Sequence, residues 1–198
     1  VFYKIDMMIK KTIEKSIEVK QRILESDDLL TSIQRACDLI IEAYRKQKKV
    51  LLCGNGGSAA DAQHIAAELT GRFYYDRPPL AAEALHVNSS FMTAVANDYS
   101  YNEVFARYIQ AMGQEGDILI AISTSGNSEN ILKAIDRATK SGMKIISLTG
   151  ESGGAMRNVS DILLNVPSVD TPRIQESHIL IGHIICEIVE ATLFPNYK

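Results

Sequence analysis

The chain has 198 residues, of which 46% are apolar and 23% are charged, and its formal net charge is −3. These values are typical of a folded globular protein and argue against a disordered chain. The acidic balance argues against a non-specific nucleic-acid binder, because such a protein needs a basic face. No apolar run could cross a bilayer, and no secretory leader is evident. We therefore expect a single domain over residues 1–198, with neither a nucleic acid nor a membrane as partner.

The N-terminal quarter has the apolar periodicity of two helices. From about Met7 to Gln47, apolar residues recur at helical spacing, and Asp27 and Asp28 interrupt the pattern. We predict an N-terminal helical pair over residues 1–48 that packs on another element or on another subunit. Its apolar stripes consist of Ile9, Ile13, Ile17, Val19 and Ile23 in the first helix, and of Leu30, Ile33, Ala36, Leu39, Ile40 and Ala43 in the second.

From residue 49 onward, short apolar runs alternate with helical stretches. This alternation is typical of right-handed crossovers and of a parallel sheet with both faces covered. We predict an α/β core over residues 49–198, a doubly wound, flavodoxin-like sheet of five parallel strands with helices on both faces. Such sheets bind ligands beyond the carboxyl ends of their strands. The predicted strands are 50–53, 84–87, 118–123, 144–149 and 162–166, and the predicted helices lie near 58–70, 89–97, 101–113, 128–141 and 174–193.

The three cysteines, Cys37, Cys53 and Cys186, are widely spaced in apolar surroundings. They form no C-x-x-C pair of the kind that binds zinc or exchanges disulfides. We expect three buried free thiols in a reducing compartment, and therefore a cytoplasmic protein.

A glycine-rich loop follows the first predicted strand. It reads Cys53-Gly-Asn-Gly-Gly-Ser58, and its glycines let backbone N–H groups approach a ligand. Ser58 with Asp61 fits the start of a helix. The loop lacks the third glycine of a dinucleotide motif and the lysine of a P-loop, so a nucleotide site is poorly supported. A tight turn without any ligand is the alternative.

A serine-rich loop follows the third predicted strand and precedes a predicted helix. It carries four hydroxyls within six residues, more than a helix cap requires. Hydroxyl donors, backbone donors and the helix dipole together favour an anion without any fixed cation. The sequence therefore predicts a phosphate site at Ser123, Thr124, Ser125 and Ser128.

Two helices carry side chains that can bind a metal ion. His64 and Glu68 are four residues apart, on one face of the helix after the glycine loop. Gln175 and His183 lie two turns apart on the last predicted helix. The four side chains meet only if these two helices adjoin. From spacing alone, the alternative to a metal site is that each of them has an ordinary structural role. Zinc accepts His nitrogens and Glu oxygens, whereas Gln is an unusual ligand.

Three segments together resemble the bacterial phosphoheptose isomerases, which are sugar isomerase (SIS) proteins. These segments are residues 50–72 with the glycine loop, Ile122–Ser128 with the serine loop, and Arg173–Glu176 followed by His178 and His183. The resemblance implies an SIS fold and a homotetramer. It also implies interconversion of D-sedoheptulose 7-phosphate with D-glycero-D-manno-heptose 7-phosphate. That step begins the supply of heptose for lipopolysaccharide or other surface polysaccharides.

The resemblance also implies roles for individual residues. One zinc ion per subunit would be held by His64, Glu68, Gln175 and His183. An aldose–ketose isomerase moves a proton between neighbouring carbons, for which Glu68 is the candidate base and His183 the candidate acid. The implied substrate contacts are Asn55, Gly56, Gly57, Glu68, Asn97, Asp98, Ser123, Thr124, Ser125, Ser128 and Gln175.

One alternative function comes from a protein-binding class. The DnaA initiator-associating protein is a close sister of the isomerases, with the same fold and a tetrameric assembly but no catalysis. The sequence pattern of that sister has no acidic residue at the position of Glu68 and no histidine at the position of His183. It has Arg in the serine loop, where this chain has Ser125. The C-terminal tail Leu193-Phe-Pro195, in contrast, resembles the C-terminal ending of the DnaA initiator-associating protein. A regulatory SIS domain that senses a sugar phosphate is a third possibility, although no DNA-binding segment accompanies it.

Overall fold

The computed structural model describes residues 2–197, which form one five-stranded parallel sheet flanked by helices. The strand order β2-β1-β3-β4-β5 confirms the predicted doubly wound, flavodoxin-like architecture. The strands are β1 (Val50–Gly54), β2 (Ala82–Ala84), β3 (Ile118–Ile122), β4 (Lys144–Thr149) and β5 (Ile162–Asn165). The helices are α1 (Phe2–Leu24), α2 (Asp27–Arg45), α3 (Gly57–Thr70), α4 (Ser89–Asp98), α5 (Val104–Met112), α6 (Glu129–Lys140) and α7 (Thr171–Leu193).

The sheet separates two apolar layers, because successive side chains of a strand point to opposite faces. Leu52 and Ile120 face one layer, which α2, α3 and α7 cover, whereas Leu51 and Leu119 face the layer covered by α4, α5 and α6. Both layers are buried, which explains why the central strands read as continuous apolar runs. The three cysteines are free and buried, as predicted. Within residues 2–197, no helix is long and apolar enough to cross a membrane.

The two N-terminal helices differ in what they contact. Helix α2 begins where the Ser26 hydroxyl accepts a hydrogen bond from the Leu29 N–H, and its apolar face packs on α7 and β5. Helix α1 buries only Val19 and Ile23 among its described side chains, near its C-terminal end. Its other predicted stripe residues, Ile9, Ile13 and Ile17, are more than half exposed. The second helix is therefore packed within the chain along its length, whereas the first contacts α2 and α7 with its C-terminal half and leaves the apolar stripe of its N-terminal half uncovered.

Some predicted boundaries are wrong. Strand β2 lies at Ala82–Ala84 rather than at 84–87, because it is an edge strand that pairs only with β1, and such an edge tolerates the half-buried Glu83. The predicted cap Ser58 is instead buried inside α3, which begins at Gly57 without a side-chain cap. Helix α7 begins three residues earlier than predicted, since Pro172 fits a first helical turn. A 3₁₀ turn at Tyr101–Glu103 precedes α5.

The strand order reverses between β1 and β3, which lie side by side although α3, β2, α4 and α5 separate them in sequence. The crossovers leave these two strands in opposite directions, so a crevice opens beyond their carboxyl ends. The glycine loop follows β1 and the serine loop follows β3. The topology therefore places the two predicted ligand loops next to each other.

Candidate active site

The glycine loop leads directly into α3, and its last glycine faces α7. A methyl group added at Gly57 would meet the amide nitrogen of Gln175 at 2.5 Å. The absence of a side chain at this position therefore lets the Gln175 amide approach the start of α3. Gly56 and Gly57 are exposed, so their backbone is open to a ligand.

The hydroxyls of the serine loop form a cluster. The Ser123 Oγ is 2.9 Å from the Ser128 Oγ and 3.4 Å from the Ser125 Oγ. Ser128 occupies the N-cap position of α6, but its hydroxyl makes no cap hydrogen bond. Among the described residues, no Lys or Arg side chain hydrogen-bonds to these hydroxyls. This cluster has the donors and the helix terminus that suit an anion.

A groove of about 330 Å³ lies beside the serine loop. Thr124 and Ser125 form part of its lining, and Ser168, Thr171 and Ile174 line it from the segment that enters α7. Ile174 directly precedes Gln175, so the groove lies next to the contact between α7 and the glycine loop.

Three of the predicted metal ligands lie together. His64 Nε2 is 3.1 Å from Glu68 Oε1 and 3.5 Å from His183 Nε2, and ligand atoms of all three lie within 4.8 Å of one another. Tetrahedral zinc with bonds of about 2.0–2.1 Å separates neighbouring ligand atoms by about 3.3–3.4 Å. The two measured separations are close to that value. The donor set and its spacing thus fit a zinc ion.

Helices α3 and α7 run side by side in the same direction, which explains this convergence. Gly57, the first residue of α3, faces Gln175, the fifth residue of α7, and His64 faces His183 two turns later. Between these contacts, a methyl group added at Gly182 would meet the Ile65 side chain at 2.5 Å, so the helices are in close contact there. Gln175 lies about 12 Å before His183 along the helix axis, against the glycine loop.

Two further titratable groups lie near the predicted ligands. Burial raises the pKa of Asp61 to about 6, and one of its carboxylate oxygens is buried without a hydrogen-bond partner in the described part of the chain. His178 is fully buried, and its Nε2 donates to the carbonyl of Thr149 at 3.1 Å. Burial lowers the pKa of His178 to about 4, so this imidazole is neutral near pH 7 and supports the junction of α7 with β4.

Asn97 and Asp98 lie at the C-terminal end of α4, where both are exposed. The Asn97 amide donates to the Asp98 carboxylate at 3.0 Å. Within residues 2–197, no hydrogen bond joins either side chain to the serine loop or to the histidine pair. Tyr101, three residues after Asp98, does reach the glycine loop, since its hydroxyl donates to the Asn55 Oδ1 at 3.2 Å.

The sequence does not predict two pairs of polar side chains that the fold brings together. The first is an amide pair between Asn55 and Asn130, joined by two hydrogen bonds of 2.9 Å. The second is the ion pair of Arg77 with Glu190, whose side chains are both 1% exposed. Neither pair has a motif, because its partners are 75 and 113 residues apart. These contacts become apparent only in the three-dimensional structure.

The Arg77–Glu190 pair determines the path of the chain after α3. Glu190 accepts hydrogen bonds from the backbone N–H groups of Phe73, Tyr74 and Tyr75. Arg77 donates to the carbonyls of Glu68 and Leu69 at the end of α3. Because the loop is held in this way, the ring centroid of Phe73 lies 5.7 Å from that of His183.

Comparisons with known proteins show the family. The SIS domain family matches residues 13–150. The phosphoheptose isomerase of Sulfurimonas denitrificans is 54% identical over 188 residues, which are 95% of this chain and 96% of that protein. The phosphoheptose isomerase of Clostridium acetobutylicum is 53% identical over 94% of this chain and 95% of its own length. The chain belongs to the phosphoheptose isomerase family.

Solved structures of phosphoheptose isomerases have the same fold. GmhA from Neisseria gonorrhoeae superposes with a TM-score of 0.89 at 40% identity, covering 94% of this chain and 99% of its own. The enzyme from Francisella tularensis superposes with a TM-score of 0.88 at 42% identity, covering 92% and 96%. As a phosphoheptose isomerase family member, the chain is an aldose–ketose isomerase with the SIS fold. The resemblance inferred from the motifs is confirmed, and the non-catalytic DnaA-binding alternative is not supported.

Proposed function

We propose that this family member interconverts D-sedoheptulose 7-phosphate and D-glycero-D-manno-heptose 7-phosphate. The observation that supports this most directly is the cluster of His64, Glu68 and His183, two helical turns from the contact between Gln175 and the glycine loop. A phosphosugar is an extended molecule with a phosphate at one end and a carbonyl at the other. The serine loop suits the first end, and the cluster suits the second.

The serine loop binds the phosphate in this proposal. Ser123, Ser125 and Ser128 offer clustered hydroxyls, and α6 presents its N-terminus. Thr124, Asn55 and the backbone of Gly56 and Gly57 contact the rest of the substrate beside them. The Gln175 amide lies against Gly57, and in this proposal it contacts the sugar chain or the metal. Asn97 and Asp98, at the exposed C-terminal end of α4, contact the sugar chain in this proposal.

The proton transfer requires one group at the carbons and one at the oxygens. Glu68 removes the proton from C1 of the ketose, which gives an enediol, and returns it to C2 of the aldose. His183 exchanges the hydroxyl proton between the two neighbouring oxygens. Glu68 Oε1 is the atom nearest His64, so the second carboxylate oxygen is available for the proton. The buried environment of Asp61 makes it the next candidate base.

We propose one zinc ion per subunit, held by His64, Glu68 and His183, with Gln175 as the fourth ligand once its side chain turns from Gly57 toward the cluster. Bound there, the ion would polarise the two sugar oxygens and stabilise the negative charge of the enediolate. A Gln ligand is weak and exchangeable, which suits a catalytic position.

The remaining expectations belong to the same proposal. The chain forms a homotetramer, with the exposed apolar face of α1 against other copies and the active sites near subunit boundaries. Its product supplies heptose for lipopolysaccharide or another surface polysaccharide. Three free, buried thiols suit a reducing compartment, and we propose the cytoplasm.

Incubation of the purified protein with sedoheptulose 7-phosphate, followed by NMR, tests this function. We expect an aldose 7-phosphate to accumulate to equilibrium, and we expect turnover to fall after chelation and to return with added zinc. Elemental analysis of the untreated protein gives the metal content independently. Turnover that is absent both with and without zinc would contradict the proposal, and turnover insensitive to chelators would contradict its metal part.

A further inference from the structure

The amide pair joins two loops that are distant in sequence. Asn55 follows β1, and Asn130 lies in the first turn of α6, directly after the serine loop. Each amide donates to the other's carbonyl oxygen at 2.9 Å. Asn130 is only 3% exposed, so its polar atoms need partners within the protein. Asn55 supplies them across the crevice between β1 and β3.

A tyrosine hydroxyl completes the hydrogen bonding of Asn55. The Tyr101 hydroxyl donates to the Asn55 Oδ1 at 3.2 Å, from the 3₁₀ turn before α5. The Oδ1 thus accepts two hydrogen bonds, and one Nδ2 hydrogen is donated to Asn130. A primary amide has two acceptor positions and two donor hydrogens. One N–H therefore remains, and the Asn55 side chain can offer a ligand only a donor.

We propose that Asn130 and Tyr101 are positioning residues, which hold the Asn55 amide with one N–H directed at an oxygen of the phosphosugar. This inference rests on the proposed function. The three residues come from separate segments, so their contacts also keep the glycine and serine loops in register. Preorganised donors avoid the cost of ordering a side chain when the substrate binds.

A single-atom substitution tests the role of Tyr101. Tyr101 is half exposed, so Tyr101→Phe removes the hydroxyl without opening a cavity. We expect the KM for sedoheptulose 7-phosphate, and the Kd from calorimetry, to rise about three- to tenfold. We expect kcat to stay unchanged, because Asn55 binds the ground state and the transition state alike.

Tyr99→Phe is the matched control. Tyr99 is also exposed, and its ring lies 4.1 Å from the Arg107 guanidinium, a contact that Phe preserves. Its hydroxyl has no hydrogen-bond partner within the described chain. We expect KM and Kd of this variant to equal those of the wild type. Equal increases in Tyr99→Phe and Tyr101→Phe would overturn the inference.

A double-mutant cycle tests the role of Asn130. We expect Asn130→Ala and Asn55→Ala each to raise the Kd, and the double variant to be no weaker than Asn55→Ala, because Asn130 acts through Asn55. The midpoint of thermal unfolding identifies any loss of fold. Additive effects on Kd, or no effect of Asn130→Ala, would overturn the inference.

Binding and turnover measured on the wild type distinguish a failure of this inference from a failure of the proposed function. Binding of sedoheptulose 7-phosphate without turnover would contradict the proposed function, and the Kd series would still decide the positioning role. Turnover with unchanged KM and Kd in Tyr101→Phe would contradict the positioning role alone. A wild type that neither binds nor converts this sugar would overturn both.

Discussion

The hydroxyls of the serine loop bind the phosphate, in our proposal, without help from a cation. Replacing Ser125 and Ser128 together by Ala removes two donors while leaving the buried Ser123 in place. We expect the KM to rise about tenfold for each hydroxyl, with a smaller change in kcat. Steady-state kinetics of the isomerisation measures this. Ser90→Ala, at an exposed site on α4, is the control, and an unchanged KM in the double variant would remove the phosphate assignment.

In our proposal, Glu68 is the base that transfers the proton. Glu68→Gln keeps the shape of the side chain but cannot accept a proton, so we expect kcat to fall about 10²–10⁴-fold. The Kd for the phosphosugar should change little, because the serine loop is intact. Glu115→Gln, at an exposed position in the loop before β3 and therefore at the amino end of the strands, is the control. Near-normal turnover by Glu68→Gln would transfer the role of base to Asp61 or Asp98.

Single residues differ in how well the sequence predicts them. The serine hydroxyls and His64 with Glu68 lie within short segments, so local spacing is sufficient to predict their proximity. Asn130 and Tyr101 are a lone Asn and a lone Tyr without a motif. Their contact with Asn55 depends on the order of the strands, which the local sequence does not encode. The same holds for Gln175, whose amide contacts Gly57 through the packing of two helices.

At the scale of elements, one buried ion pair joins α7 to the end of α3 and to the loop that follows α3. Glu190→Gln leaves the buried Arg77 without a counter-charge, so we expect the free energy of unfolding to fall by about 3–5 kcal/mol. Denaturant unfolding measures this quantity. Glu187→Gln, an exposed position on the same helix, should leave it within about 0.5 kcal/mol. A similar loss in both variants would contradict the role of the pair.

The same carboxylate gives stability a dependence on pH. Burial would raise the pKa of Glu190, but hydrogen bonds from Phe73, Tyr74 and Tyr75 and from Arg77 outweigh it and hold the pKa below its usual value of 4.5. A depressed pKa stabilises the fold above the unfolded-state pKa, and this contribution disappears as pH falls through the folded-state pKa. The wild type should thus lose stability below about pH 4.5 more steeply than Glu190→Gln.

Elements in the core were easier to predict than elements at the edge. Strands β1, β3 and β4 are buried on both faces, so their apolar runs mark them clearly. Strand β2 pairs on one side only and includes the half-buried Glu83. Because its own sequence is not an apolar run, the prediction places the strand on the more apolar residues that follow it. The apolar pattern of α2 could not reveal whether its partner was another subunit or its own sheet.

At the scale of the whole molecule, the exposed face of α1 predicts assembly. Ile9, Ile13 and Ile17 form one stripe, and a row of exposed large apolar side chains marks an interaction surface. Replacing all three by Gln should convert a tetramer into smaller species, as light scattering would detect, while circular dichroism stays unchanged. Lys15→Gln, on the opposite side of the helix, should keep the mass of the wild type. A wild type with the mass of one chain would contradict the assembly.

The parallel arrangement of α3 and α7 has a consequence for the number of carbons in the substrate. Two helical turns separate the glycine loop from the histidine pair, and Gly182 against Ile65 fixes the register of both helices. In our proposal, a sugar anchored by its phosphate must therefore span a fixed distance before its carbonyl reaches Glu68. Fructose 6-phosphate, one carbon shorter, would misplace its carbonyl by more than about 1 Å, so we expect kcat/KM to be about 100-fold lower. Equal kcat/KM for the two ketose phosphates would show that the helices do not select chain length.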